Sequence, residues 1–136
     1  DCPGFWERVG GSCLRIISRP NKTWDDARSY CQQLGGDLGA PDMQALRLRL
    51  KGEIENFIWL GAHDRIADGD WRWLISGTRV EEGDWAPGEP NRGNTHNCGC
   101  LARRDDYKFH DCLCDYRMGF ICQLVEPESW DHFQEF

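Results

Sequence analysis

Apolar residues first fall at helical spacing in the stretch beginning at Trp24, where Trp24, Ala27, Cys31 and Leu34 line one face. Thr23 is placed to cap this helix with Asp26 three residues on, and Gly35-Gly36 ends the run. A second helix opens at Pro41-Asp42, carries Met43, Leu46 and Leu50 on one face, and closes at Gly52. Ahead of both, Gly10-Gly11 lies between arms bearing Cys2 and Cys13, which reads as a β-hairpin that Asn21-Lys22-Thr23 interrupts. The period then changes. Phe57-Ile58-Trp59-Leu60-Gly61 is a short buried run, and Trp71-Arg72-Trp73-Leu74 alternates as a strand does. Further strands are expected from Cys98 to Ala102, Lys108 to Cys112 and Met118 to Cys122. Helices early and strands late argue an α+β fold with antiparallel sheet, not alternating βαβ units.

One long segment, Ile75 to Asn97, holds Gly, Pro, Asn and Glu with little periodicity, and loops of that length are usually functional. With 136 residues the chain suits one domain around one core, and 7 Trp beside 15 Gly suit a loop-rich fold with bulky packing. Residues 1–124 read as that domain, and 125–136 as an acidic, mobile C-terminal tail. The balance of 16 Lys+Arg against 23 Asp+Glu, net −7, repels phosphate backbones and leaves no basic strip, so nucleic acid is not an expected partner. No run approaches the ~20 apolar residues of a membrane span, and a chain opening at Asp1-Cys2 reads as a mature, soluble form.

The 8 cysteines fit disulfides better than zinc, because their close pairs, Cys98-Gly99-Cys100 and Cys112-Leu113-Cys114, lack the usual spacing of zinc knuckles. Disulfides imply an oxidising compartment, hence a secreted, extracellular protein. Catalysis has no carrier: HExxH, GxSxG and P-loop motifs are absent, and adjacent His110-Asp111 has no nucleophile to serve. The expectation is a binding protein, not an enzyme.

Trp59-Leu60-Gly61, Trp85 ahead of Glu89-Pro90-Asn91, and Gly119-Phe120-Ile121-Cys122, in this order and with these cysteines, resemble the C-type lectin family from Cys2 to Cys122. The resemblance implies a C-type-lectin-like domain in which two helices flank antiparallel sheet beside a long ligand-binding loop. Eight cysteines allow about a hundred pairings. The family pattern selects Cys2–Cys13, Cys31–Cys122 and Cys98–Cys114, leaving Cys100 and Cys112. If Cys98 faces Cys114 across a hairpin turning near Asp106, Cys100 faces Cys112, and a fourth bridge is expected there.

The resemblance also assigns chemistry to the loop. Calcium takes 6–8 oxygen ligands. In the family a cis proline turns the residues on either side of it toward one such ion, and a sugar diol completes the shell. Here that makes Glu89 and Asn91 metal and carbohydrate ligands across a cis Glu89-Pro90 bond, and the Glu-Pro-Asn order implies mannose-type sugars. The family's remaining ligands, a Glu before the loop cysteine and an Asn-Asp pair on the next strand, align with His96 and with His110-Asp111, Phe109 replacing the usual Trp. Imidazole suits transition ions better than calcium, and it gains a proton under mild acid, so binding is expected to fall early on acidification. Asp64 and Asp68 align with a second calcium site, where Arg92 replaces an acidic ligand.

The implied function is therefore a calcium-dependent lectin for mannose-type glycans or microbial surface polysaccharide, in innate defence. The rival is a domain of this fold that has lost sugar binding and recognises a protein, mineral or ice surface without calcium. Single lectin sites bind weakly, so avidity calls for a homo-oligomer; no coiled-coil heptad supplies one, which leaves the domain surface or the acidic tail. Asn21-Lys22-Thr23 meets the N-glycosylation pattern. Asp105-Asp106 and Glu81-Glu82 read as solvated turns, and Trp24, Trp59, Trp71, Trp73 and Trp85 as core.

Overall fold

A computed structural model describes residues 2–39, 42–51, 57–91 and 95–125. Gly52, Arg92 and most of the acidic tail therefore lie outside the described residues. The chain runs β1 (Glu7–Val9), β2 (Ser12–Lys22), α1 (Trp24–Gln33), β3 (Gly36–Leu38), α2 (Met43–Leu50), β4 (Phe57–His63), β5 (Arg72–Trp73), β6 (Cys98–Ala102), β7 (Lys108–Cys112) and β8 (Met118–Leu124). The sheet order is β1-β2-β8-β4-β6-β7, with β3 added on β8 and β5 on β4. Both helices begin where side chains satisfy their first amides: Thr23 accepts from the Asp26 amide, and Asp42 from those of Gln44 and Ala45.

Alternation along the strands divides the core between the two faces of the sheet. Ile58 and Leu60 of β4, Leu101, Phe109 and Ile121 pack with Leu46 and Leu50 of α2. Trp59, Phe120 and Cys122 pack with Trp24, Ala27 and Cys31 of α1 on the other face. A strand covered on both sides needs apolar residues at consecutive positions, which is why β4 reads as an unbroken hydrophobic run. Each fully buried Leu, Ile or aromatic side chain stabilises by roughly 1.5–3 kcal/mol. The tryptophans also bond: Trp59 Nε1 donates to the Lys22 carbonyl and Trp24 Nε1 to that of Leu60, both at 2.9 Å. Gly61 follows because a Cβ there would stand 2.1 Å from the Leu38 carbonyl oxygen, while its amide donates to the Gly39 carbonyl at 2.8 Å.

Four sequence expectations need correction. The sheet is mixed, since β4 and β8 run parallel over Ile58↔Gly119 and Trp59↔Phe120; the long intervening chain permits that crossover. Gly35-Gly36 ends α1 but also begins β3, a strand too short to show a period. The expected strand at 71–74 shrinks to β5, because the chain turns back at Gly77, whose amide donates to the Trp73 carbonyl.

The fourth correction concerns the β6–β7 hairpin. The structure holds Cys2–Cys13, Cys31–Cys122, Cys98–Cys114 and Cys100–Cys112 disulfides. Yet Cys98 faces Cys112 and Cys100 faces His110, so the last two bridges run diagonally across the hairpin. The turn is the cause. A 3₁₀ turn at Arg103–Asp105 is followed by Asp106 and Tyr107, both at φ 59°, and the Tyr107 amide closes on the Ala102 carbonyl at 2.9 Å. This centres the hairpin on Asp105 instead of Asp106.

Candidate functional site

The long loop is tied to the sheet at intervals. Val80 donates its amide to the Trp71 carbonyl at 3.0 Å, a 3₁₀ turn forms at Glu82–Asp84, and the Ala86 amide reaches the Phe109 carbonyl of β7 at 3.0 Å. Trp85 packs edge-on against Trp71, ring centroids 5.0 Å apart, and lies 5.4 Å from Phe109. Phe109, standing where a Trp was expected, thus anchors the loop. From α2, Arg47 donates to the carbonyls of Tyr107 at 3.0 Å and Asp84 at 3.4 Å, joining the hairpin turn to the loop.

Beyond Trp85 the Glu89-Pro90 peptide is cis. Asn91 is exposed, and its amide donates to Asp111 Oδ1 at 3.3 Å. Glu89 Oε1 lies 3.5 Å from His110 Nδ1, and the other ring nitrogen, Nε2, is 2.5 Å from Asp105 Oδ2. The His110 and Glu89 side chains are each only 10% exposed, and Phe57 meets the imidazole edge-on at 5.9 Å. The imidazole therefore stands between two carboxylates, one at each ring nitrogen.

Four of the five expected residues, Glu89, Asn91, His110 and Asp111, are therefore gathered where the loop meets β7. His96 is half-buried, with Nδ1 2.8 Å from Thr95 Oγ1. Asp105, read from the sequence as a solvated turn, instead belongs to the cluster. The register slip hid it, because a turn centred on Asp105 points that residue back along β7. Residues 70–90 also frame an open groove of about 980 Å³ lined by Asp70, Trp71, Arg79, Glu82, Trp85 and Glu89. Arg79 carried no sequence signal, and Trp71, at 5% exposure, is the core residue that the sequence suggested.

Comparison with known proteins matches residues 20–124 to the lectin C-type domain family. The chain belongs to the C-type lectin family. A perlucin-like protein of Mytilus galloprovincialis is 30% identical over 129 residues, covering 90% of this chain and 82% of that one. Other relatives are longer; the chain spans only 32% of the human C-type lectin domain family 17 member A. Among solved structures, the C-type carbohydrate-recognition domain of cow CD23, determined in the presence of a GlcNAc2Man3 oligosaccharide, has a TM-score of 0.78 at 25% identity, covering 93% of this chain and 98% of that one. A calcium-independent type II antifreeze protein gives the same TM-score at 27% identity, covering 92% and 95%. The lectin fold thus serves both sugar recognition and a calcium-free task. No helix among the described residues is long and apolar enough to cross a membrane.

Does this lectin's loop fit calcium? Calcium favours converging oxygens. Here the Glu89 carboxylate faces an imidazole, Asp111 Oδ1 accepts from a backbone amide, and His110 separates Glu89 from Asp105 so that the two carboxylates share no centre. Among the described residues no three His, Cys, Asp or Glu side chains are grouped to hold a metal ion. The donor set at Glu89 does not fit a calcium ion. Elsewhere, Asp64 is buried, accepts from the Gly69 amide through Oδ2 at 2.8 Å, and lies beside Asp68. Burial, and next the neighbouring Asp68 charge, push its carboxyl above the ordinary aspartate range, so the protonated form is favoured.

Proposed function

We propose that this lectin binds carbohydrate on the face where Glu89-Pro90-Asn91 meets β7. The observation carrying the reading is the gathering of Glu89, Asn91 and Asp111 at one edge of the sheet, with the backbone amide of the exposed Asn91 donating to Asp111 and so fixing its place. A carboxylate accepts and a side-chain amide donates, which suits a pair of neighbouring sugar hydroxyls, and the Glu-Pro-Asn order favours mannose-type glycans. The adjoining groove, with the half-buried Trp85 in its wall, gives room for further sugar units, whose hydroxyls the Asp70 and Glu82 carboxylates and Arg79 can meet. The relative determined in the presence of a GlcNAc2Man3 oligosaccharide supports this ligand class. The role is binding, not catalysis.

Four disulfides suit a secreted protein meeting microbial polysaccharide in innate defence, with several copies supplying avidity. Calcium, the family's usual helper, has no step in this account because the donors at Glu89 do not suit it. The same misfit favours a second reading, in which the domain recognises a protein, mineral or ice surface, as the calcium-independent antifreeze neighbour illustrates. Retention on mannose-agarose, with Asn91→Ala as control, separates the two. The expected result is sugar-eluted retention that the variant weakens about tenfold, the loss of one or two good hydrogen bonds. A folded protein that no mannose-type glycan retains would sink the carbohydrate reading.

A further inference from the structure

We propose that His110 takes the place of a metal ion in this loop, cross-linking Glu89 to Asp105 and holding the ligand face in shape without calcium. The proposal deepens the reading above, since it takes this face to be the sugar-binding one. Three features carry it. The imidazole has one carboxylate at each nitrogen, 3.5 Å from Glu89 Oε1 and 2.5 Å from Asp105 Oδ2. Glu89 comes from the long loop, His110 from β7 and Asp105 from the hairpin turn, so the contact ties the loop to β7, the strand whose family positions would share an ion with it, and to the turn beyond. The ring is wedged against Phe57 and only 10% exposed, which shields the contact from water and strengthens it.

The covalent and backbone frame directs the ring to this place. Cys100 faces His110 across the hairpin and bridges to Cys112, and Cys98 bridges to Cys114, which fixes the strand register on both sides of the histidine. Arg47 pins the turn through the Tyr107 carbonyl and the loop through that of Asp84. An asparagine at position 110 would bring a shorter side chain with one carbonyl and one amide where the ring presents a nitrogen toward each carboxylate, and could not span both. The substitution of His for the family's Asn, with Asp105 moved to the centre of the turn, therefore exchanges an ion-dependent junction for an internal one.

Amide hydrogen exchange at Ala86, Glu89 and Asn91 reads the order of this junction directly. In the wild type these amides should exchange at the same rate, within about twofold, in chelator and in millimolar calcium. His110→Asn should speed their exchange about tenfold in chelator, corresponding to one charge-assisted contact, and calcium should restore part of the protection. Asp105→Asn keeps the ring and every family ligand position, and should speed exchange about threefold; it carries the test if His110→Asn does not fold. The proposal is overturned if calcium slows wild-type exchange at these amides tenfold or more, or if neither variant changes their rate in chelator. Glycan retention is scored separately. A wild type with an ordered loop in chelator that holds no glycan defeats the carbohydrate reading and leaves the His110 junction standing.

Discussion

The sheet core and the ligand face of this domain are stabilised by different means. Around β4, apolar side chains pack on both faces, and Cys31–Cys122 joins residues 91 apart in sequence. At the proposed ligand face, the described part of the loop, 75–91, has little regular structure and is held by single contacts: Trp85 against Phe109, Arg47 to two carbonyls, and His110 between two carboxylates. Packing is distributed and tolerant, whereas point contacts are specific and individually replaceable. That difference lets the family keep one core while the loop face changes chemistry, as two neighbours with equal TM-scores illustrate, one a carbohydrate-recognition domain and the other a calcium-independent antifreeze protein.

The sharpest way to break the comparison is to cut one staple in each region. Replacing both Cys31 and Cys122 by Ser should lower unfolding free energy by about 4.5 kcal/mol, whereas replacing Cys100 and Cys112, 12 residues apart, should cost about 3 kcal/mol on the same chain-entropy argument. Urea melts measure both. A costlier short bridge would mean that the hairpin, not the core, limits stability. Next in size is Arg47→Met, which keeps the stem of the side chain and removes its hydrogen bonds. It should destabilise by about 2 kcal/mol and speed exchange in residues 81–91 and 103–110 more than in β4. Equal loosening of β4 would show that α2 and the loop are not separable from the core.

The smallest effect concerns Asp64, at the boundary between the regions. Its folded carboxyl holds a proton more tightly than in the unfolded chain, because of burial first and Asp68 second. Stability from this group is therefore lost as pH rises from the ordinary aspartate range through the raised value, and stays reduced above it. Asp64→Asn has no such loss. It should be more stable than wild type at neutral pH by on the order of 1 kcal/mol, with the advantage vanishing near about pH 3. A less stable variant at neutral pH would instead reveal a cation resting on Asp64 and Asp68.

The core was legible in the sequence because burial leaves a periodic trace: Met43, Leu46 and Leu50 mark one helix face, Trp24, Ala27 and Cys31 another, and the run at β4 a strand covered on both sides. The site was legible only in part. Glu89, Asn91, His110 and Asp111 were named through the resemblance to the C-type lectin family, but Asp105 was not, since its place depends on where a turn made by Asp106 and Tyr107 closes. A shift of one residue in that centre changes which side chain His110 meets. Nor did any pattern show β3 or the parallel β4–β8 pair, which are set by chain crossing and not by local period.

Leu14 of β2 pairs with Glu7 on one side and Gln123 on the other, so the first strand and the last flank a single residue. The first and last strands thus lie on either side of β2, whereas β6 and β7, with the proposed ligand face, lie at the opposite end of the strand order. Changes to the β1–β2 hairpin would therefore act at the end of the sheet away from β7 and leave the proposed recognition surface untouched.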